Sequence, residues 1–151
     1  MPKTIISDTS CLIILSNINE LDLLRKVYGE ITTTSIIAEE FNDPLPEWIS
    51  IHDIKDSHSQ KILETQIDRG EASAIALALE IPDSLIILDD FKGRKVAVKL
   101  GLKITGTIGV IIKAKLLGII PSIKPLFLKI RLTNFRLSDE IEKQALIAAG
   151  E

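Results

Sequence analysis

A chain of 151 residues that is 46% apolar can bury a hydrophobic core, which argues against a disordered protein, and its net charge of −3 identifies no class of partner. The single cysteine excludes an internal disulfide framework and a cysteine-based zinc cluster, so we expect a reducing, cytoplasmic compartment. The most apolar long stretch, residues 108–120, contains two lysines and is too short to span a bilayer, so we expect no membrane contact.

Short apolar runs alternate along the chain with amphipathic segments. The runs predict short strands at residues 4–7, 31–33, 85–88 and 103–105, and residues 48–52 alternate like an edge strand. The amphipathic segments predict helices at residues 11–16 (capped by Thr9 or Ser10), 19–28, 35–41, 56–68, 71–80, 91–100, 106–118, 121–130 and 138–149. Gly70 is expected to interrupt the chain between two of these helices. Strands that alternate with helices predict one α/β domain over residues 1–151 with a mainly parallel sheet.

The charges are distributed unevenly between the two parts of the chain. Residues 1–91 carry 6 Lys/Arg and 17 Asp/Glu, whereas residues 92–151 carry 12 Lys/Arg and 4 Asp/Glu. This asymmetry is typical of an acidic, cation-binding centre beside a surface that binds polyanions. Solvated helix faces would produce the same asymmetry, so charge alone leaves both interpretations open.

Carboxylates follow two of the predicted strands. Asp8 comes directly after the first strand, and Asp89 and Asp90 end the apolar run at residues 85–88. In open α/β sheets, ligands bind outside the carboxyl ends of the strands, which is where these side chains would lie. Each aspartate also suits a helix N-cap, so a purely structural role is the alternative for each residue taken singly.

Two glutamates on predicted helices extend this acidic set. Glu71 lies in the first turn of its helix, where the helix dipole alone would favour it, and Glu40 lies beside Glu39, as in a solvated surface pair. Carboxylates gathered at neighbouring strand ends repel one another unless a positive charge or water separates them. A hard divalent cation such as Mg²⁺, which prefers oxygen ligands and reaches onward to phosphate, accounts for the whole set.

Several segments resemble the motifs of the PIN-domain nucleases. Residues 8–10 (Asp-Thr-Ser) are similar to the opening D-x-S of that family, and residues 36–41 are similar to its acidic helix. Residues 70–75 are similar to G-E-A-x-A-I, and Leu-Asp-Asp at 88–90 with Gly-Thr-Ile-Gly at 106–109 completes the set. The motifs span residues 5–118 in the expected order. The likeness is greatest to a prokaryotic branch related to the VapC toxins, with Glu71 where those toxins usually carry Asp.

This resemblance implies a three-layer α/β/α sandwich, Mg²⁺ or Mn²⁺ as cofactor, and cleavage of single-stranded RNA. The implied catalytic metal ligands are Asp8, Glu40, Glu71 and Asp90, with Asp89 as a further ligand. Comparison with the toxins favours Asp90 over Asp89 as the principal ligand. Ser10 and Thr107 are expected to hydrogen-bond a ligand carboxylate or a metal-bound water.

The expected RNA-binding surface lies on the helix that follows the aspartate pair. Lys92, Lys95 and Lys99 are spaced three and four residues apart, so they share one helix face, and Arg94 lies beside them. These residues would contact the RNA backbone. Besides single-stranded RNA, the expected partners are an antitoxin protein, as in a toxin–antitoxin pair, and a second copy of the chain.

Two other functions fit the same residues. In one, the chain is a PIN-like module that binds RNA or a protein without cutting. In the other, it is a phosphotransfer domain in which an aspartate accepts phosphate beside Mg²⁺. Turnover of RNA with metal separates the nuclease from the binding module, and an acid-labile phosphate on an aspartate would identify the phosphotransfer domain.

Overall fold

The computed structural model describes residues 2–151, which form five strands and nine helices. The strands are β1 (Thr4–Ser7), β2 (Ile31–Thr33), β3 (Ile49–Ile51), β4 (Ser84–Ile87) and β5 (Lys103–Thr105). The helices are α1 (Thr9–Asn17), α2 (Asp22–Tyr28), α3 (Ser35–Phe41), α4 (Ser57–Leu63), α5 (Arg69–Glu80), α6 (Phe91–Lys99), α7 (Thr107–Leu116), α8 (Lys124–Arg131) and α9 (Asp139–Ala148). No helix within residues 2–151 is long and apolar enough to cross a membrane.

The strands form one sheet in the order β3-β2-β1-β4-β5, and every pair is parallel. The central strand β1 pairs with β4 in a register that runs from Thr4 opposite Ser84 to Ser7 opposite Ile87. The chain first extends the sheet from β1 to β3 and then continues on the other side of β1 at β4. The strand order therefore reverses between β1 and β4, and ligands of open α/β sheets bind at such a switch point.

Helices pack around two centres, α5 and α7. Helices α3, α4 and α6 contact α5, whereas α2 and α9 contact α7. This arrangement confirms the predicted α/β/α fold, with a sheet that is entirely parallel. The Ala-rich helix α5 packs closely on the sheet: Ala72, Ala74 and Ala76 are buried, and α5 lies directly against β1 and β4.

Three local predictions are wrong, and each involves a helix end. Asp8, not Thr9 or Ser10, caps α1, because its carboxylate accepts the N–H of Cys11 at 2.9 Å. The helix predicted to reach residue 68 ends at Leu63. Gly70 does not interrupt the chain: it lies in the first turn of α5, which Asp68 caps by accepting the N–H of Glu71 at 3.0 Å. Aspartate is a strongly preferred N-cap residue, so Asp8 and Asp68 determine where α1 and α5 begin.

Candidate metal centre

Asp8 is buried at the carboxyl end of β1, and both of its carboxylate oxygens accept backbone N–H groups. Oδ1 accepts from Cys11 at 2.9 Å and Oδ2 accepts from Asp89 at 3.0 Å. The second bond joins the end of β1 to the segment that follows β4. Burial of the side chain, and next the negative charge of Asp89, raise the pKa of Asp8 to about 7, although the two N–H donors act in the opposite direction.

The carboxylate of Asp89 is occupied by the first residue of α7. Its Oδ1 accepts the N–H of Thr107 at 2.8 Å, and its Oδ2 accepts the Thr107 hydroxyl at 2.6 Å. Gly106 permits this approach, since a Cβ at that position would lie 2.9 Å from Asp89 Oδ1. The guanidinium of Arg94 lies at the same place and donates to the Leu88 carbonyl at 2.8 Å, so it is turned toward the sheet and not outward with the lysines.

Asp90 has a different environment from its neighbour Asp89. It caps α6, with Oδ2 accepting the N–H of Gly93 at 3.2 Å, and it is exposed. No hydrogen bond from the described residues occupies its Oδ1. Asp90 therefore retains a carboxylate oxygen for a ligand, whereas both carboxylate oxygens of Asp89 are engaged by Thr107.

Glu71 is half-buried in the first turn of α5 and lies close to Gly93 of α6. A Cβ at Gly93 would lie 3.4 Å from the Glu71 carboxylate, so the missing side chain makes room for it. Burial raises the pKa of Glu71 to about 8, and the charges of four neighbours add to this effect. In decreasing order of effect these neighbours are Asp68, Asp90, Asp8 and Glu40.

Glu40 belongs to α3 and is the last member of the carboxylate cluster. Its Oε1 accepts the hydroxyl of Thr9 at 2.5 Å, and its carboxylate lies against Gly70, where an added Cβ would overlap it. The structure thus brings Asp8, Glu40, Glu71 and Asp90 into one electrostatically coupled group, with Asp89 beside Asp8. Ser10 is exposed on the first turn of α1, and its neighbour Thr9 provides the hydroxyl that contacts an acidic side chain.

Sequence reasoning missed Asp68, whose charge raises the pKa of both Asp8 and Glu71. The prediction of one helix across residues 56–68 made Asp68 the end of a helix instead of the start of the next. A usable signal was present, because Asp68 and Glu71 have the three-residue spacing typical of a capping box. Thr9 was assigned only to helix capping, and nothing in its local pattern indicates a contact with Glu40, which is 31 positions away.

A cavity of about 350 Å³ opens beside these carboxylates. Its acidic lining residues are Glu64, Asp68, Glu71 and Asp90, and Lys92 lines it at the start of α6. It also contains Gln66 and Ile67 from the segment between α4 and α5. We refer to this space as the acidic cavity. Lys92, Lys95 and Lys99 are all exposed along α6, which leads away from it.

The donor set fits a hard divalent cation in its chemistry. Every available ligand is a carboxylate oxygen. Burial, and after it the charges of neighbouring carboxylates, raise the pKa values of Asp8 and Glu71, and a cation would relieve the cost of ionising both groups. Within residues 2–151, however, no three His, Cys, Asp or Glu side chains are already arranged to hold a metal ion directly. Mg²⁺ is compatible with such a site, since it usually keeps several waters and binds only one or two carboxylates.

A comparison with protein families identifies the class of protein that this fold and cluster define. A family model described as a PIN domain matches residues 4–151, and the chain therefore belongs to the PIN-domain family. PIN domains are generally nucleases and typically use divalent metal ions. Neither the curated proteins nor the solved structures provide a significant match.

Charge crowding predicts how the metal-free protein responds to pH. Glu71 has a folded-state pKa of about 8, above the ordinary value of 4.5, so between these pH values the unfolded chain loses a proton that the folded chain retains. The resulting cost to stability grows as pH rises from 4.5 to 8. Glu71→Gln removes this cost, and in EDTA its melting temperature should exceed that of the wild type by about 3 °C at pH 8 and by much less at pH 4.

Glu39→Gln is the matched control, because Glu39 is an exposed glutamate on α3 next to the cluster. It should leave the melting temperature nearly unchanged at both pH values. An equal effect of Glu71→Gln at pH 4 and pH 8 would contradict the crowding of charge around Glu71.

Proposed function

We propose that this chain is a metal-dependent endoribonuclease that hydrolyses phosphodiester bonds in single-stranded RNA. The observation that carries the proposal is the coupled carboxylate cluster at the switch point of a PIN-domain sheet, in which the pKa of Asp8 is about 7 and that of Glu71 is about 8. Glu71 lines the acidic cavity, and a carboxylate with a perturbed pKa in a cavity at this position is typical of a functional site. Lys92 lines the same cavity and supplies a positive charge for a phosphate.

Asp8, Glu40, Glu71 and Asp90 would together hold Mg²⁺ or Mn²⁺, one or two of them directly and the others through metal-bound waters. Asp89 would position the group through its backbone N–H bond to Asp8. A bound ion of this kind activates water and stabilises the negative charge that develops on the phosphate. The protein's own contribution is orientation. Thr107 holds Asp89, the Asp89 amide holds Asp8, and Gly93 leaves the space into which Glu71 extends.

A second function is supported by one specific observation. Because no three acidic, His or Cys side chains among the described residues are prearranged around a metal, a PIN-like module that binds RNA or a protein without cutting fits the same fold. The two functions differ in turnover: the nuclease consumes RNA with Mg²⁺ or Mn²⁺, and the binding module leaves it intact.

The resemblance to the VapC toxins extends the proposal to the biology of the chain. It supports a toxin that works in the cytoplasm, is neutralised by an antitoxin protein and assembles as a homodimer. These properties rest on the sequence motifs alone, without a contribution from the geometry of the cluster. Expression of the chain with and without the protein encoded beside it tests them directly, since a toxin arrests growth only when it is expressed alone.

Metal binding should stabilise the folded protein, because only the folded chain gathers the carboxylates. A free Mn²⁺ concentration of about 100 times Kd adds about 2.7 kcal/mol to the free energy of unfolding, which corresponds to a rise in melting temperature of roughly 5–10 °C. In Glu71→Gln the rise at the same Mn²⁺ concentration should be clearly smaller, and in Glu39→Gln it should equal that of the wild type. Glu71→Gln is preferred to Asp8→Asn here, since an amide at position 8 would also disrupt a buried hydrogen bond. A melting curve that millimolar Mn²⁺ and Mg²⁺ leave unchanged would contradict the metal site.

Asp90→Asn should separate the enzyme from the binding module. Asparagine is as good an N-cap as aspartate, so α6 should be preserved while one negative charge is lost, and the metal-free melting temperature should stay the same or rise slightly because Glu71 loses a charged neighbour. Cleavage of a generic single-stranded RNA with Mn²⁺ should then fall by about 100-fold or more. Asp43→Asn, at an exposed position outside the cluster, is the control and should cleave like the wild type. Wild-type protein that binds the RNA but cleaves none of it with either metal would favour the binding module.

A further inference from the structure

A groove of about 400 Å³ lies between α4 and α6. Its apolar surface comes from Ile62 and Ile67 on the α4 side and from Val96 and Leu100 on the α6 side. Two of these side chains are unusually exposed for apolar residues, at 64% for Ile62 and 44% for Leu100. We refer to this feature as the α4–α6 groove.

The α4–α6 groove adjoins the acidic cavity. Gln66, Ile67 and Lys92 line both spaces, so a flexible chain that leaves the carboxylate cluster enters the groove directly. The two spaces differ in charge. The acidic cavity is lined by Glu64, Asp68, Glu71 and Asp90, whereas no Asp or Glu from the described residues lines the groove.

The cations of the groove form a row along one wall. Lys92, Lys95 and Lys99 all line it, and the helical rise separates them by about 4.5 Å and about 6 Å along the axis of α6. Three lysines beside exposed apolar surface are complementary to a ligand with a regular anionic backbone and flat apolar groups, although the Lys95 ammonium itself lies over the Phe91 ring, 5.4 Å from its centroid. Single-stranded RNA has both properties, because proteins bind it through its phosphates and through the faces of its bases.

We propose that the α4–α6 groove binds the nucleotides on one side of the scissile phosphate, with backbone phosphates at the lysines and bases on Ile62 and Leu100. This inference rests on the proposed ribonuclease function and adds to it the direction in which the strand leaves the cluster. Gln66 lies where the groove meets the acidic cavity and is the uncharged polar side chain positioned to contact a base edge.

A second groove on the opposite side of α6 competes for the same role. It lies beside β5 and is lined by Phe91, Arg94, Lys95, Val98, Lys99 and Ile104. It shares no residue with the acidic cavity, and one nitrogen of the Arg94 guanidinium is engaged by the Leu88 carbonyl. Continuity with the cluster therefore favours the α4–α6 groove, although Lys95 and Lys99 line both grooves.

The lysine row predicts the salt dependence of RNA binding. A triple variant should weaken RNA binding for all sequences alike; it combines Lys92→Ala, Lys95→Ala and Lys99→Ala. Its slope of log K against log salt should flatten by about 0.7 for each lost phosphate contact. Anisotropy of a fluorescein-labelled oligouridylate in EDTA measures both quantities without cleavage. An unchanged slope would overturn the placement of phosphates along α6.

Two apolar substitutions distinguish the grooves, which the lysines alone cannot do. Ile62 and Val98 are aliphatic side chains near the ends of α4 and α6, with exposures of 64% and 60%, so replacing either with Gln should leave the fold intact. Ile62→Gln should weaken binding of the oligouridylate about fivefold, as expected when a few tens of Å² of apolar contact are lost. Val98→Gln, which alters only the groove beside β5, should bind like the wild type.

The outcomes separate this inference from the proposed function. If the wild type cleaves RNA with Mn²⁺ and Ile62→Gln binds as well as Val98→Gln, the α4–α6 groove is wrong and the nuclease stands. Weaker binding in Val98→Gln alone overturns the proposal in favour of the groove beside β5. Wild-type protein that neither binds nor cleaves RNA overturns both.

Discussion

The hydrogen bond from the Asp89 amide to the carboxylate of Asp8 is the interaction on which the cluster depends. It connects the carboxyl ends of β1 and β4, the two strands between which the strand order reverses. Asp8 also caps α1, and Asp89 is in turn held by Thr107 at the start of α7. Asp8 therefore joins the segments that follow β1 and β4, and Asp89 extends this connection to the start of α7. Burial of Asp8 is costly, which is evident from its raised pKa, and two N–H donors offset part of that cost.

Glycine has a common function at three points around this cluster. Gly70 makes room for Glu40 and Gly106 for Asp89, since a Cβ at either position would overlap or crowd the carboxylate, and a Cβ at Gly93 would contact both Leu88 and the Glu71 carboxylate. All three have negative φ, in contrast to the turn glycines at positions 29, 101, 118 and 150. Their function is close approach between a backbone and a charged side chain. The sequence alone predicts that Gly70 interrupts a helix. The carboxylate that lies against Gly70 belongs to Glu40, which is distant in the sequence, so local pattern does not indicate this contact.

Local sequence pattern predicts the strands and the end of the sheet that carries the site. Apolar runs marked all five strands, and the carboxylates at residues 8, 89 and 90 indicated which end of the sheet carries the site. What remained hidden depends on tertiary packing. Lys92, Lys95 and Lys99 were expected to share a face of α6, but only the positions of α4 and β5 reveal that two grooves flank this helix. Asp68 was missed for a related reason, since its effect on Asp8 and Glu71 acts through space.

The adjacent aspartates illustrate how one local sequence serves two needs. Asp89 satisfies the polar groups at the start of α7 with both oxygens and contributes its amide to Asp8, so it stabilises the geometry. Asp90 caps α6 with one oxygen, remains exposed and contributes its charge to Glu71. Asp8 lies between these two cases: each of its oxygens accepts one N–H group, and the second lone pair of each oxygen remains available to a cation. Asp89 therefore fixes the geometry of the cluster on the side of the sheet, and Asp90 offers an exposed carboxylate oxygen on the side of the acidic cavity.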